Sequence, residues 1–472
     1  MTISPQPDDS LPAQAPGPLA LPTALPSWQQ VHRLLAVRTH AALGPGELMG
    51  LSSYYSCVYE SFGTALDAAL AQRLLGQLAT QLAEQPLGHW SAPYFDYARA
   101  VAWLGPRLAA HGFAVPAAGL LLARLDEELS RQAQQWHRQP DTLRRPAFFR
   151  ALRYAALRHP APAAAEALHY LLAPPLLEGP ALRWPPGEQP LALGLGGGLA
   201  AGLLVLIGLA RGAAPAPALL GYVREGVQQI LALKRAIDFP EQHYGLFPYQ
   251  VHAPLHEPTF STELSWRRGD MGQALLLYQA SKLFGDAELA KIAELVGLNT
   301  LLRTTSPVTH VASAGFEQGA AGVAHLYGRL YRASNYLPKY RQGYLAWLGE
   351  TQRWLTQELA ANSHPQPAGT LPAGLAGSGL VLLAAATGVA HGWDAILLLE
   401  KTLAYRSRGK VSSVSLGQAA ALLQRLSQVY LGQNSILILL FISYIKGEKT
   451  AGRSSDTGSI VGWAPLHGVR NI

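Results

Sequence analysis

The chain is short of cysteine, charge and strand signals. It has one cysteine, Cys57, so no disulfide can form within the chain and a thiolate-rich zinc site is excluded. Cys57 lies in an apolar stretch and reads as a small core residue. Charged residues are 14% of the chain against 49% hydrophobic, the balance of a protein whose helices are buried on more than one side. The net charge of +7 is a mild excess over this length, and no dense Lys/Arg block interleaves with aromatics. Nucleic acid is therefore not an expected partner. Period-two alternation is sparse and no Asn-Gly hairpin turn occurs, which points to an all-α chain.

Small residues are plentiful, and they recur. GLAAGLLVL starts at Gly198, GDMGQALLLY at Gly269, GAAGVAHLY at Gly319 and GLAGSGLVLL at Gly374, so the starts lie 71, 50 and 55 residues apart. A repeat of that length holds two helices and their connections. Degraded copies continue upstream: GLSSYYSCV from Gly50, DYARAVAWL around Tyr97 and Ala100, and FFRALRYAAL near Phe149, at intervals of 47, 52 and 49 residues. The expectation is an α/α toroid of about seven hairpins, with glycine-led inner helices and amphipathic outer ones. Outer helices are predicted over Ala218–Ile237, over Gly285–Thr300 with Asp286 as N-cap, and over Leu337–Leu359. Sites in such a fold belong at the mouth, where the inner helices begin and their N–H groups point.

Several stretches stand apart. Residues 1–27 are rich in proline and alanine, lack the pattern of a signal peptide and read as a disordered leader of a cytoplasmic protein. Leu191–Ala210 carries no charge over a membrane-spanning length but reads as a buried inner helix, so no stable membrane span is expected. Asp238–Leu264 is an insert, expected as a long ordered loop leading to a helix at Ser265. Within it His252 and His256 have metal-like spacing, interrupted by Pro254. From about residue 401 the repeat is lost, leaving 401–472 unassigned and 28–400 as the toroid.

The motifs resemble the lanthionine synthetase C-like family, the cyclases of lanthipeptide biosynthesis. Leu371–Glu400, with Trp393–Asp394, is similar to that family's closing repeat. SWRRGDMGQALLL from Ser265 resembles its tryptophan-cysteine-x-glycine motif, FEQGAAGVAHLYGRLY from Phe316 its cysteine-histidine-glycine motif, and LGLGGGLAAGLL from Leu193 its histidine-glycine repeat. The resemblance implies an α/α toroid whose zinc, held by two cysteines and a histidine, activates a peptide thiol for addition to a dehydroamino acid. Here Arg267, Glu317 and Gln318 stand at the implied ligand positions, and Gly197 at that of the upstream histidine. No metal or other cofactor is expected. Arg267 opposite Glu317 suits a bidentate pair filling the space.

These substitutions point to a cyclase-like protein without the zinc chemistry. It would bind a precursor peptide at a mouth formed by Trp266, Arg267, Arg268, Asp270, Glu317 and Gln318, or assist a lanthipeptide dehydratase or an active cyclase. A second reading is a glycoside-processing toroid using Asp270 and Glu317, with Glu263 as a third carboxylate, since such enzymes place two carboxylates about 5–10 Å apart. In a third, Arg267 lowers a peptide thiol's pKa and Glu317 or His325 moves protons.

Overall fold

The computed structural model describes residues 21–85, 92–140, 145–177, 190–212, 216–236, 244–252, 257–364 and 367–397. The chain divides into two compact units, Met1–Ala404 and Tyr405–Ile472, and the described residues all belong to the first. The segment 401–472 and residues 1–20 of the expected leader lie outside them.

Among the described residues, fourteen helices of ten or more residues build the first unit. They are α1 (Leu25–Arg38), α2 (Pro45–Phe62), α3 (Ala65–Ala83), α4 (Ala92–Ala110), α5 (Pro116–Arg138), α6 (Arg145–Arg158), α7 (Pro162–Leu171), α8 (Leu199–Gly212), α9 (Pro217–Ala232), α10 (Asp270–Phe284), α11 (Ala287–Thr300), α12 (Ala320–Ala333), α13 (Pro338–Ala360) and α14 (Leu375–Thr387). The even-numbered helices form the inner ring: each packs on the next, and α14 returns to α2. The odd-numbered helices back them from outside. The molecule is the all-α toroid that the repeat predicts. Asp286 caps α11 as expected, its carboxylate accepting from the N–H groups of Glu288 and Leu289.

The seventh outer helix comes from the far end of the chain. α1 packs on α14 and closes the ring, with Trp28, Val31 and Leu35 buried. The Leu21 N–H donates to the Ala385 carbonyl at 2.6 Å. Residues 21–27, expected in the leader, therefore belong to the toroid.

The small residues set how closely the inner parts approach. A Cβ on Gly322 would lie 1.8 Å from the Phe316 carbonyl oxygen, in the loop that folds over the start of α12. Backbone occupies that space, so only glycine fits. Gly269, which precedes α10, has φ +92°, a left-handed value that favours glycine. This turn moves the helix start: α10 begins at Asp270, not at Ser265, whose hydroxyl instead accepts from the Arg268 N–H at 3.1 Å.

Two further expectations are corrected. The apolar stretch from Leu191 is not one helix. It holds strand β1 (Leu191–Ala192), a turn through Gly194–Gly197, and only then α8. Among the described residues no helix is long and apolar enough to cross a membrane. The insert is not a loop but a β-hairpin arm, β2 (Pro248–His252) and β3 (Glu257–Phe260), antiparallel to each other, with β1 pairing on β2. Pro248 opens its strand and Pro258 lies on the sheet's edge, positions where a missing N–H is tolerated.

Two glycine substitutions should separate close packing from helix propensity. Gly322→Ala is expected to lower unfolding free energy by about 2–3 kcal/mol, because backbone must move to admit the methyl group. Gly349→Ala, exposed on α13 with nothing near its Cβ position, is expected to raise it by about 0.5–1 kcal/mol. Urea unfolding of the two variants measures both.

Candidate functional site

The loops entering the inner helices share one rim. The Gly196 N–H donates to the Arg267 carbonyl at 3.2 Å, Leu264 to Thr309 at 2.9 Å, and Glu317 to Pro372 at 2.8 Å. These bonds tie the starts of α8, α10, α12 and α14 together as a mouth.

Asp270 is placed here by sequence but its side chain is not exposed. Both it and Arg303 are completely buried, and they form an ion pair. The Asp270 carboxylate also accepts from the N–H groups of Leu246, at 3.0 and 3.2 Å, and Phe247, at 2.9 Å. Arg303 donates in turn to the carbonyls of Tyr244 and Thr262. A carboxylate saturated in this way is a brace for the hairpin arm, offering no oxygen to a substrate or peptide. The Asp270–Glu317 carboxylate pair of the glycoside-processing reading is thereby lost. Trp266 is also withdrawn: it is 8% exposed and packs against Phe316, ring centroids 6.1 Å apart.

The other predicted mouth residues reach the surface. Arg267 pairs with Glu317 through one guanidinium nitrogen, with half of the Arg267 side chain exposed. Arg268 lies over the Tyr249 ring at 4.8 Å and 3.8 Å from Glu263. Arg268, Glu263 and Gln318 line a cleft of about 870 Å³ between the mouth and the hairpin arm. Its other walls come from residues that motif reasoning missed, among them Arg235, Tyr249, Phe260 and His310. Arg235 lies over the Phe260 ring at 4.0 Å. The length of the insert hinted at Tyr249 and Phe260 but not at Arg235 or His310, because cleft and arm form together from segments distant in sequence.

The residues at the implied zinc positions do not fit that metal. A guanidinium has no lone pair to donate, the Glu317 carboxylate is engaged by it, and Gln318 offers only an amide. His252 Nε2 accepts from the Gln250 amide at 2.8 Å, while His256 lies outside the described residues. Cys57 is buried, and burial followed by the nearby Glu60 pushes its thiol pKa up, as suits a core residue. His325 is not at the rim. It is mostly but not fully buried between Phe316 and Trp393, and its Nε2 donates to Asp394 at 2.7 Å, with Arg329 on the same oxygen at 3.2 Å.

A solved structure titled nisin cyclase is similar to this chain. The TM-score is 0.61 at 14% identity, covering 79% of this chain and 97% of that one. No family model matches the sequence, and no curated protein does. At this identity the likeness shows a shared fold.

Asp270→Asn is expected to destabilise the protein by about 3–5 kcal/mol, since it leaves the Arg303 charge buried and uncompensated. A loss of ligand binding at unchanged denaturant midpoint would instead make Asp270 functional. The His325–Asp394 pair sets an acid limit. Burial pushes His325 below its ordinary pKa of 6.5. Burial alone would raise Asp394, but Arg329 and His325 hold its pKa below the usual carboxylate range. Both folded-state values are depressed, so as pH falls the unfolded chain takes up protons that the folded one resists, and stability drops. The His325 share is present above its unfolded pKa and shrinks as pH falls below it. His325→Gln should flatten thermal stability between about pH 7 and about pH 5, measured by scanning calorimetry.

Proposed function

We propose that this chain is a lanthionine cyclase-like protein that works without the family's zinc site and binds a precursor peptide at the mouth, as an accessory to a peptide-modifying complex. The carrying observation is the Arg267–Glu317 ion pair standing where the sequence resemblance puts metal ligands, beside an open cleft. Thiol activation by a Lewis acid needs donor atoms that these residues do not supply. Peptide binding needs only what the cleft has.

The cleft suits an extended, acidic or hydroxyl-rich segment. Arg235 and Arg268 present two guanidinium groups stacked on aromatic rings, against the single carboxylate of Glu263. Thr259, Ser261 and Thr262 add hydroxyls and main-chain groups. β3 is an edge strand, and Pro258–Phe260 line the cleft, so a peptide laid along it can pair with backbone while its side chains meet the arginines.

Fluorescence anisotropy with a labelled synthetic peptide of acidic, serine and cysteine residues tests this reading. Arg268→Glu should weaken binding roughly ten-fold at low salt through loss of a rim charge. Arg341→Glu, exposed on outer helix α13, should leave binding unchanged. No measurable binding, or equal binding by both variants, would sink the peptide role. Thioether formation in a dehydroalanine-containing version of the peptide would sink the accessory assignment while keeping the binding one.

A further inference from the structure

A second cationic cluster lies away from the cleft, where inner helices α4 and α6 pack. Arg99 on α4 is 5% exposed and Arg153 on α6 is 4% exposed, with Arg150 one turn before it. Among the described residues one carboxylate answers these three guanidinium groups: Asp96, which meets Arg99 through a single nitrogen. The remaining donors are unmade. Nε and Nη1 of Arg99, Nε and Nη2 of Arg153 and Nε of Arg150 are buried without a hydrogen-bond partner. Burial, then the repulsion of Arg99, pushes the Arg153 pKa down to about 9, with Arg150 adding to the repulsion and Asp96 opposing it.

Such a group is costly as it stands. Buried charges are normally paired, and buried N–H groups normally have acceptors. Among the described residues, three positive charges here face one negative charge, and five donor atoms have no acceptor. We propose that Arg99, Arg150 and Arg153 form a binding site for a tetrahedral oxyanion of the phosphate class, either free or carried on a phosphorylated ligand. Three guanidinium groups suit four oxygens presented in different directions, whereas one carboxylate would satisfy a single fork. The net excess of two positive charges matches a phosphate dianion. The Asp96 side chain is 50% exposed, so the cluster reaches solvent on that side, where an anion can enter. Asp96 itself repels an anion and bounds the site there. This site does not depend on peptide binding at the cleft.

Thermal unfolding of the full chain in inorganic phosphate, against chloride at matched ionic strength, reads the site directly. Tm should rise with the logarithm of phosphate concentration. Arg153→Met gives the diagnostic pair of results: higher Tm than wild type in chloride, because an uncompensated buried charge is gone, and no phosphate response beyond the general salt effect. Arg153→Lys keeps the charge but not the fork, and should bind phosphate roughly ten-fold more weakly. Equal Tm for the wild type in both salts would overturn the proposal, as would a full phosphate response in Arg153→Met. A phosphoserine peptide then separates the two sources. Binding that free phosphate displaces, that Arg153→Met abolishes and that Arg268→Glu retains identifies a phosphorylated ligand. Phosphate binding without phosphopeptide binding identifies the free ion.

Discussion

The buried Asp270–Arg303 pair holds the mouth together. Asp270 opens inner helix α10, and Arg303 follows the end of its outer partner α11. Between them they fix Tyr244, Leu246, Phe247 and Thr262, the two roots of the hairpin arm. Every wall of the cleft rests on those roots or on loops bonded to them. A buried pair of this kind adds little net stability over a well-packed apolar pair, but removing one partner is severe. The arm is therefore fixed in place by a contact that tolerates no half-measure.

That clamp also marks the limit of reading by motif. Asp270 stands in a glycine motif at a helix start, where exposed acids are common, so sequence places it in the mouth. What buries it is an insert more than twenty residues upstream and an arginine more than thirty downstream, and no local pattern announces either. The toroid itself was legible, because glycine and alanine spacing records backbone approach directly: Gly322 admits nothing larger. Asp286 was legible for the same reason, as a cap acts within its own first turn. α1 as the outer partner of α14 was not, since the closing contact joins opposite ends of the toroid. The strands of the arm are too short and too interrupted by proline to show alternation.

The charged residues divide along the same line. Arg267 and Glu317 were readable as a pair because both sit two residues before a recognisable glycine. Arg99, Arg150 and Arg153 lie inside degraded copies of the motif, where apolar residues are the rule on an inner helix. Arginine at such places, in DYARAVAWL and FFRALRYAAL, is the signal that something other than packing selects the residue. Its meaning needed the structure: among the described residues Asp96 alone answers these three arginines, whereas Glu60 pairs with Arg107, Asp126 with Arg158 and Asp394 with Arg329.

Fold and chemistry are thus constrained by different atoms. The ring depends on absences of side chain, at Gly269, Gly322 and their counterparts, because backbone fills the space a Cβ would need. The rim pair Arg267–Glu317 is made by side-chain atoms instead, with half of the Arg267 side chain exposed. The toroid can accordingly be shared with the nisin cyclase structure at 14% identity. The hairpin arm is a part of the rim that the helical repeat does not dictate.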